Sequence, residues 1–491
     1  MYTINELLKV MGKGHMANTA YDTAWIARLN EIDSRMSNDA LEWICENQLL
    51  DGGWGVESPF YYHDRVISSL AAMIALNSRG RRAYDRTQVE RGLIALEKIT
   101  SGATQGLKGD IRGATVGFEM IVPTLVSEAE KMGIIKQQGD RILGRIRRQR
   151  AVKMEKLKGL KINRHITASL SIEMAGTDSL HYLDSDSLQE PNGSVGNSPS
   201  ATAYFALHVR PGDLKALDYL RSIVNGGGAP FVAPFDVFER AWILWNLSLI
   251  NLGDQNNDLV KEHLDFLDSR WVNGRGISFT TDSMLFDSDD TSVTFEVLAR
   301  LGRYKDIDAI LSYQEENYFR CYPFEVDPSI GANLHILGAF RQVGFQKEHP
   351  SVQKIIRFLI STRERGGYWF DKWHISPYYI TSHVVITCRG YDDDLCEGAV
   401  NWMLSTQKAD GSWGFFGFST AEETAYCIQA LILWRKSGGK LPAARLELAV
   451  QWLKKHAEPP YPWLWIGKTL YYPELLVQSS ILSALALADG G

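Results

Sequence analysis

The chain has 491 residues, and 52 Lys+Arg against 58 Asp+Glu leave a formal charge of −6, a balance that argues against a nucleic-acid binder working through a basic face. A composition of 45% hydrophobic and 22% charged residues belongs to a globular chain with sizeable cores, not to a disordered one. Five cysteines (Cys45, Cys321, Cys388, Cys396, Cys427) with no CxxC pair exclude a disulfide framework and a thiolate zinc site, and point to a reducing, cytoplasmic setting. The opening MYTINELLKVMGKGH is too mixed for a secretory signal, and no window approaches ~18 uninterrupted apolar residues, so no membrane insertion is expected. The 14 Trp suit core packing or a pocket that contacts an apolar or cationic guest.

Along the chain, helical-period stretches alternate with short Gly, Pro, Asn or Asp interruptions, and no sustained alternation of apolar and polar residues indicates a sheet. The fold class is therefore all-α. The turn QLLDGGWG (48–55) is echoed by QEPNGSVG (189–196), by QKADGSWG (407–414) and more loosely by RERGGYW (363–369). Their irregular spacing excludes a short-period solenoid and favours double-layered helical barrels, whose outer helices such turns would tie together. RILGRIRRQRAVKMEKLKGLK (141–161) is a basic stretch, read either as an exposed amphipathic helix or as an anion-binding edge. GSVGNSPSATA (193–203) is the longest small-residue loop and a candidate boundary, and NGGGAP (225–230) is a second break, near which the domain junction is expected. VFERAWILWNLSLI (237–250) is apolar on most sides, as a helix between two layers would be. DTSVTFEVLARLG puts Val293, Val297, Leu298 and Leu301 on one helical face, with Gly302 as its C-cap glycine.

Immediately before that last helix stands DSDD, with Asp287, Asp289 and Asp290. Three readings are open. Carboxylates favour a helix N-terminus for its cap and dipole. Asp287 and Asp289 could share a magnesium ion with a phosphate. Alternatively, crowding in a dry site could keep a proton on one carboxyl, making a Brønsted acid able to protonate an alkene, whose cation aromatic faces would then hold away from water.

AYDTAW (20–25), LEWICENQLLDGGWG (41–55), DRVISSLAAMIAL (64–76), VGFEMIVPTL (116–125), SPSATAYFAL (198–207), FERAWIL (238–244) and DSDDTSV (287–293), in this order, resemble the class II diterpene cyclases of the copalyl-diphosphate-synthase type. KINRHITASLSIEMAG (161–176) and TAEETAYCIQAL (420–431) are most similar to the bacterial enzymes that make halimadienyl or kolavenyl diphosphate. The resemblance implies a βγ architecture of two α-barrels with the active cavity between them. On this chain, that places β at 1–27 and 223–491 and an inserted γ barrel at 28–222, with no α domain. DDLCE (393–397), which superficially resembles a class I ionisation motif, is read as a helix start.

The resemblance also implies roles. Asp289 becomes the general acid, with Asp287 and Asp290 keeping it protonated, and Asn333 its hydrogen-bond partner. The substrate is geranylgeranyl diphosphate, cyclised with its diphosphate retained on Lys153 and Lys372, with Lys468 as a further candidate. Tyr204, Trp242, Trp245 and Trp271 are candidate cavity aromatics. Magnesium is the expected cofactor, but where plant relatives carry an acidic patch this chain reads KGDIRGATVGFE, leaving Asp110 and Glu119. Where plant enzymes place a deprotonating His stands Leu170 or Ser171, which favours a rearranged halimane or clerodane skeleton over a labdane. A labdane-type copalyl diphosphate synthase, a squalene–hopene-type cyclase and a non-catalytic prenyl-diphosphate binder are the alternatives. The retained diphosphate calls for a downstream class I synthase or prenyltransferase, and a homo-oligomer is left open.

Overall fold

The computed structural model describes the chain except residues 15, 80–81, 103–113, 138–139, 251–256, 324, 326 and 491, and the side chains of 101–102, 140–142 and 257. In the second half of the chain, six helices close a ring: Asp236–Leu247, Ser288–Arg300, Ile330–Gln342, Pro377–Cys388, Ala421–Lys436 and Glu474–Asp489, each packing on the next and the last on the first. Between them run the outer helices Asn257–Arg270, Pro350–Thr362, Asp393–Thr406 and Ala443–Lys455. The two layers differ as their environments require. All of Pro377–Cys388 is buried, because inner helices have neighbours on every side, whereas Pro350–Thr362 buries one stripe through Val352, Ile355, Ile356 and Leu359. Hydroxyls on the inner helix are returned to its own backbone: Ser382 donates to the Tyr379 carbonyl at 2.7 Å and Thr387 to that of His383 at 2.7 Å.

The first half repeats the plan with a smaller ring of Ala20–Ala27, Tyr62–Arg79, Phe118–Lys131, the 3₁₀ segment Thr167–Ala175 and Pro199–Tyr204. The expected turns serve both barrels. Trp54, Trp369 and Trp413 each donate an indole N–H at 2.8 Å to a carbonyl ten residues earlier, on Ile44, Leu359 and Met403. Gln48 and Gln407 each bond the carbonyl four residues on and one on the next outer helix, at Gln88 and Arg445. Gly52 has φ +94°, and a Cβ there would lie 2.6 Å from the Arg91 carbonyl oxygen, so the turn needs glycine.

Two core clusters mark the division of the chain, and they correct the sequence-based boundary. The helix Ile4–Val10 joins the second core through Leu7 and Leu8, but the helix Ala20–Ala27, expected in β, supplies Tyr21, Ala24 and Trp25 to the first. The crossing points lie near Asn18–Thr19 and Ala229–Pro230, which pair as two short antiparallel strands and close the neck of the insertion. The 193–203 stretch is no boundary: Ser194, Ser198 and Ser200 are buried and Pro199–Tyr204 is an inner helix of the first barrel.

The barrels meet through loops that precede inner helices. Val116 N–H donates to the Gly467 carbonyl at 2.8 Å, Leu470 N–H to Asp64 at 3.0 Å, and Ala233 N–H to the Asn197 carbonyl at 3.0 Å. Leu170, in the 3₁₀ segment of the first barrel, packs against the core of the second.

Candidate active site

The helix Ser288–Arg300 begins at this barrel-to-barrel face. Asp287 is its N-cap, accepting the Asp290 N–H at 2.7 Å, and Ser288 is tied to the carbonyls of Arg320 and Cys321. Capping therefore explains Asp287, but not its two neighbours. Asp289 is only 8% exposed, and its Oδ1 lies 2.5 Å from His335 Nδ1. Asp287 Oδ2 and Asp290 Oδ1 are buried with no hydrogen-bond partner among the described residues. Burial, reinforced by the charge of Asp289, pushes the Asp287 carboxyl up to about 8. Burial together with the charges of Asp287 and Asp289 holds Asp290 well above the usual carboxylate range. Burial and the charge of a neighbour thus both favour the protonated form of Asp287 and of Asp290.

His335 sits on the neighbouring inner helix Ile330–Gln342. Burial opposes its charged form, but the charge and hydrogen bond of Asp289 outweigh it and raise the imidazole above its ordinary value. The Trp242 ring meets that of His335 edge-on at 5.6 Å and stacks on Phe238 at 4.2 Å. Trp242 Nε1 lies 3.4 Å from the Tyr379 hydroxyl. The acid is thus set among aromatic rings.

Asn333, expected at Asp289, is placed elsewhere. Its amide donates to the carbonyls of Phe319 at 2.9 Å and Ser329 at 2.8 Å and accepts the Phe319 N–H at 2.9 Å. At 3.6 residues per turn, side chains two apart point about 200° away from each other, so one helix cannot turn both Asn333 and His335 towards the same carboxyl. The sequence signal for His335 was a lone imidazole in an apolar helix beside a second polar residue, and it could not say which of the two turns inward.

A family model described as the squalene-hopene cyclase C-terminal domain matches residues 324–464. Over 497 aligned residues the chain is 49% identical to a type B diterpene cyclase of Mycobacterium tuberculosis, covering 100% of this chain and 99% of the relative. The chain belongs to the diterpene cyclases, of class II. To (+)-copalyl diphosphate synthase 3, chloroplastic, of Marrubium vulgare it is 28% identical over 76% of its own length and 48% of the relative's, so it spans about half of that plant protein. The ent-copalyl diphosphate synthase from Streptomyces platensis superposes with a TM-score of 0.80 at 26% identity over 99% of this chain and 98% of that one. The fold is also that of the Arabidopsis thaliana ent-copalyl diphosphate synthase solved with (S)-15-aza-14,15-dihydrogeranylgeranyl thiolodiphosphate, with a TM-score of 0.69 at 24% identity, covering 98% of this chain and 62% of that one.

Two of the cyclase's three expected lysines lie together across the barrel junction. Lys153 pairs with Glu119 and stands 3.6 Å from Asp327, while Lys372 pairs with Glu325 and donates to the Asp327 carbonyl at 2.9 Å. Burial pushes the Lys372 ammonium down to about 8. Lys468 is different: it is 1% exposed and spends its ammonium on Glu173 at 2.6 Å, Ser198 at 2.8 Å and Ser200 at 2.7 Å. It locks the barrels together and offers no free donor to a diphosphate.

The aromatic candidates also divide. Trp245 donates to Glu296 at 2.8 Å and stacks on His383 at 4.7 Å, in a layer behind His335. Trp271 donates to Asp306 at 2.8 Å and packs on Phe295, a structural position. Tyr204 belongs to the first barrel, where its hydroxyl donates to the Gly176 carbonyl at 2.6 Å.

Of the two residues expected for magnesium, Glu119 is the one described. The charge of Glu119 is met by Lys153, and no trio of His, Cys, Asp or Glu suited to a metal converges among the described residues. Asp110 lies outside them. Also among the described residues, no helix is long and apolar enough to cross a membrane.

Proposed function

We propose that the protein converts geranylgeranyl diphosphate into a bicyclic diterpenyl diphosphate, with Asp289 as the initiating acid. The observation that carries this reading is a nearly buried carboxyl held on one oxygen by an imidazole at 2.5 Å, beside Trp242. The second oxygen is then free to direct a proton at the terminal alkene. The Asp289 O–H bond breaks as a C–H bond forms, ring closures follow, and a base takes a proton from carbon at the end, so the net reaction is an isomerisation. The carboxylate left on Asp289 is met by the imidazole through a charge-assisted hydrogen bond, and protonated Asp287 and Asp290 add no charge of their own. Aromatic faces near the acid stabilise the cation.

Lys153 and Lys372, one from each barrel, are the proposed diphosphate anchor, exchanging their carboxylate partners for the substrate. The diphosphate is retained, so a consuming enzyme must ionise its C–O bond, as a class I synthase or prenyltransferase does. Five free, buried cysteines support a cytoplasmic setting.

The product proposed is a rearranged halimadienyl or kolavenyl diphosphate. Leu170 presents hydrocarbon to the second core, so this position supplies no base to the first bicyclic cation, which survives long enough for hydride and methyl shifts. Incubation with geranylgeranyl diphosphate, dephosphorylation and mass spectrometry against labdane, halimane and clerodane standards tests both levels. A labdane overturns the rearrangement, and unchanged substrate overturns the cyclase reading.

A further inference from the structure

The first barrel holds a cavity whose lining does not include the DSDD carboxyls. It has a volume of about 320 Å³, within the range of small-molecule sites, and all its lining residues belong to the first barrel. Its walls come from the carboxyl-terminal parts of Ala20–Ala27, Phe118–Lys131 and Thr167–Ala175 and the residues that follow them. Contacts to the second barrel at Asp64, Val116 and Ser198 come from the opposite ends of the inner helices, while Glu173 both lines the cleft and receives Lys468 of the second barrel.

One wall is aromatic: the ring of Tyr204 lies 5.8 Å from that of Trp25 and 5.0 Å from His208, which burial pushes down to about 4 and so keeps neutral. Most of the lining charges are matched. Arg28 pairs with Glu128 while lying 4.1 Å over the Trp25 ring, Lys131 stands 3.6 Å from Asp178, and Glu173 faces Lys468. Two groups remain. Among the described residues Arg150 bonds only neutral oxygens, the Thr124 hydroxyl at 3.1 Å and the Met174 carbonyl at 3.5 Å. Glu173 is 1% exposed, yet its Oε2 has no hydrogen-bond partner among the described residues.

A half-buried guanidinium that meets no carboxylate among the described residues, beside an aromatic wall, specifies a ligand. From the unmatched Arg150 and the Trp25–Tyr204–His208 wall, we infer that this cleft binds a medium-chain organic monoanion. Its carboxylate lies in the guanidinium fork and its apolar body on the rings. A single charge suits the one uncompensated cation, and the planar fork matches a carboxylate. The inference does not depend on the cyclase reading, because its readout is binding.

The test is calorimetric titration of the purified full chain with decanoate, decanol and decyltrimethylammonium. Decanoate should bind at least tenfold more tightly than decanol, and the ammonium should not bind. Arg150→Gln should reduce decanoate to the level of decanol, and His208→Trp, which fills the cleft from its wall, should abolish binding. Decanoate affinity that persists in either variant, equal binding of all three probes, or no decanoate binding at millimolar concentration overturns the proposal.

Discussion

The two barrels share a plan of paired helix layers and Gln/Gly/Trp turns, yet they treat buried acids in opposite ways. In the first, Asp64 accepts two backbone N–H groups, from Val56 at 2.7 Å and Leu470 at 3.0 Å. Asp22 is held by Thr19 and by the Ser200 N–H, and Glu173 receives Lys468, Tyr21 and Ser200. In the second, Asp287 and Asp290 each keep an oxygen without a partner among the described residues, as Glu173 Oε2 does in the first, and Asp289 has an imidazole on Oδ1. Several donors tie a carboxylate into the structure, whereas burial with few donors favours its protonated form, as at Asp287 and Asp290. The first barrel commits Asp64 and Glu173 to contacts with the second, and the second leaves the DSDD carboxyls short of donors among the described residues.

Substitutions on either side should break this contrast in different observables. The largest effect is expected for Asp289→Asn, which keeps shape and removes the proton: turnover should fall on the order of 10³-fold with an unchanged circular dichroism spectrum. Lys468→Met should leave Glu173 buried without its cation and cost about 3–5 kcal/mol in denaturant unfolding. The double variant with Glu173→Gln should recover much of that loss, which a direct role in substrate binding would not produce. His335→Ala should lower kcat on the order of 10²-fold with little change in KM. Its neighbour Asn333→Ala should instead lower stability by about 1–3 kcal/mol, because the Phe319 and Ser329 clamps are lost, while kcat per folded molecule holds. Measuring kcat and melting temperature on this pair separates the acid's partner from the scaffold.

The smallest effects are those of pH. Asp287 is raised to about 8, so it is protonated in the fold and ionised in the unfolded chain over the range between its ordinary value and 8. Its contribution to stability is complete below the ordinary carboxylate range and is lost as pH rises through about 8. His335, also raised, acts in the same sense: its contribution is full below the ordinary imidazole value and is lost above the raised one. Denaturant unfolding at pH 5, 7 and 9 should therefore show stability falling with pH, less steeply in Asp287→Asn. In kinetics, kcat should decline above pH 8 as Asp287 ionises beside the acid, and Asp287→Asn, which retains the capping oxygen, should remove that limb. KM should rise over the same range as Lys372 loses its proton, and Lys372→Arg should suppress that rise.

Much of the architecture was legible before any coordinates. All-round apolar stretches such as 237–250 become inner helices, and the repeated turns become barrel ties because a Gln, a positive-φ glycine and a Trp are needed at fixed local offsets. The DSDD cluster declares itself, since three adjacent carboxylates exceed what one cap requires. The boundary at 20–27 was misplaced because Ala20–Ala27 is apolar enough for either core, and only packing selects one. Lys468 and Lys372 look alike as sequence. One lies beneath two serines and a glutamate, and the other beside the junction with Lys153.

What the sequence determined by itself is therefore local and periodic: helices, their layers, the turns that link them, and a surplus of negative charge at one helix start. The tertiary structure alone decided which partner each buried polar group receives. Asn333 and His335 share a helix, and the choice between them depends on helix rotation against the Ser288–Arg300 neighbour. Such pairings join residues distant along the chain, and their energies arise only once water is excluded.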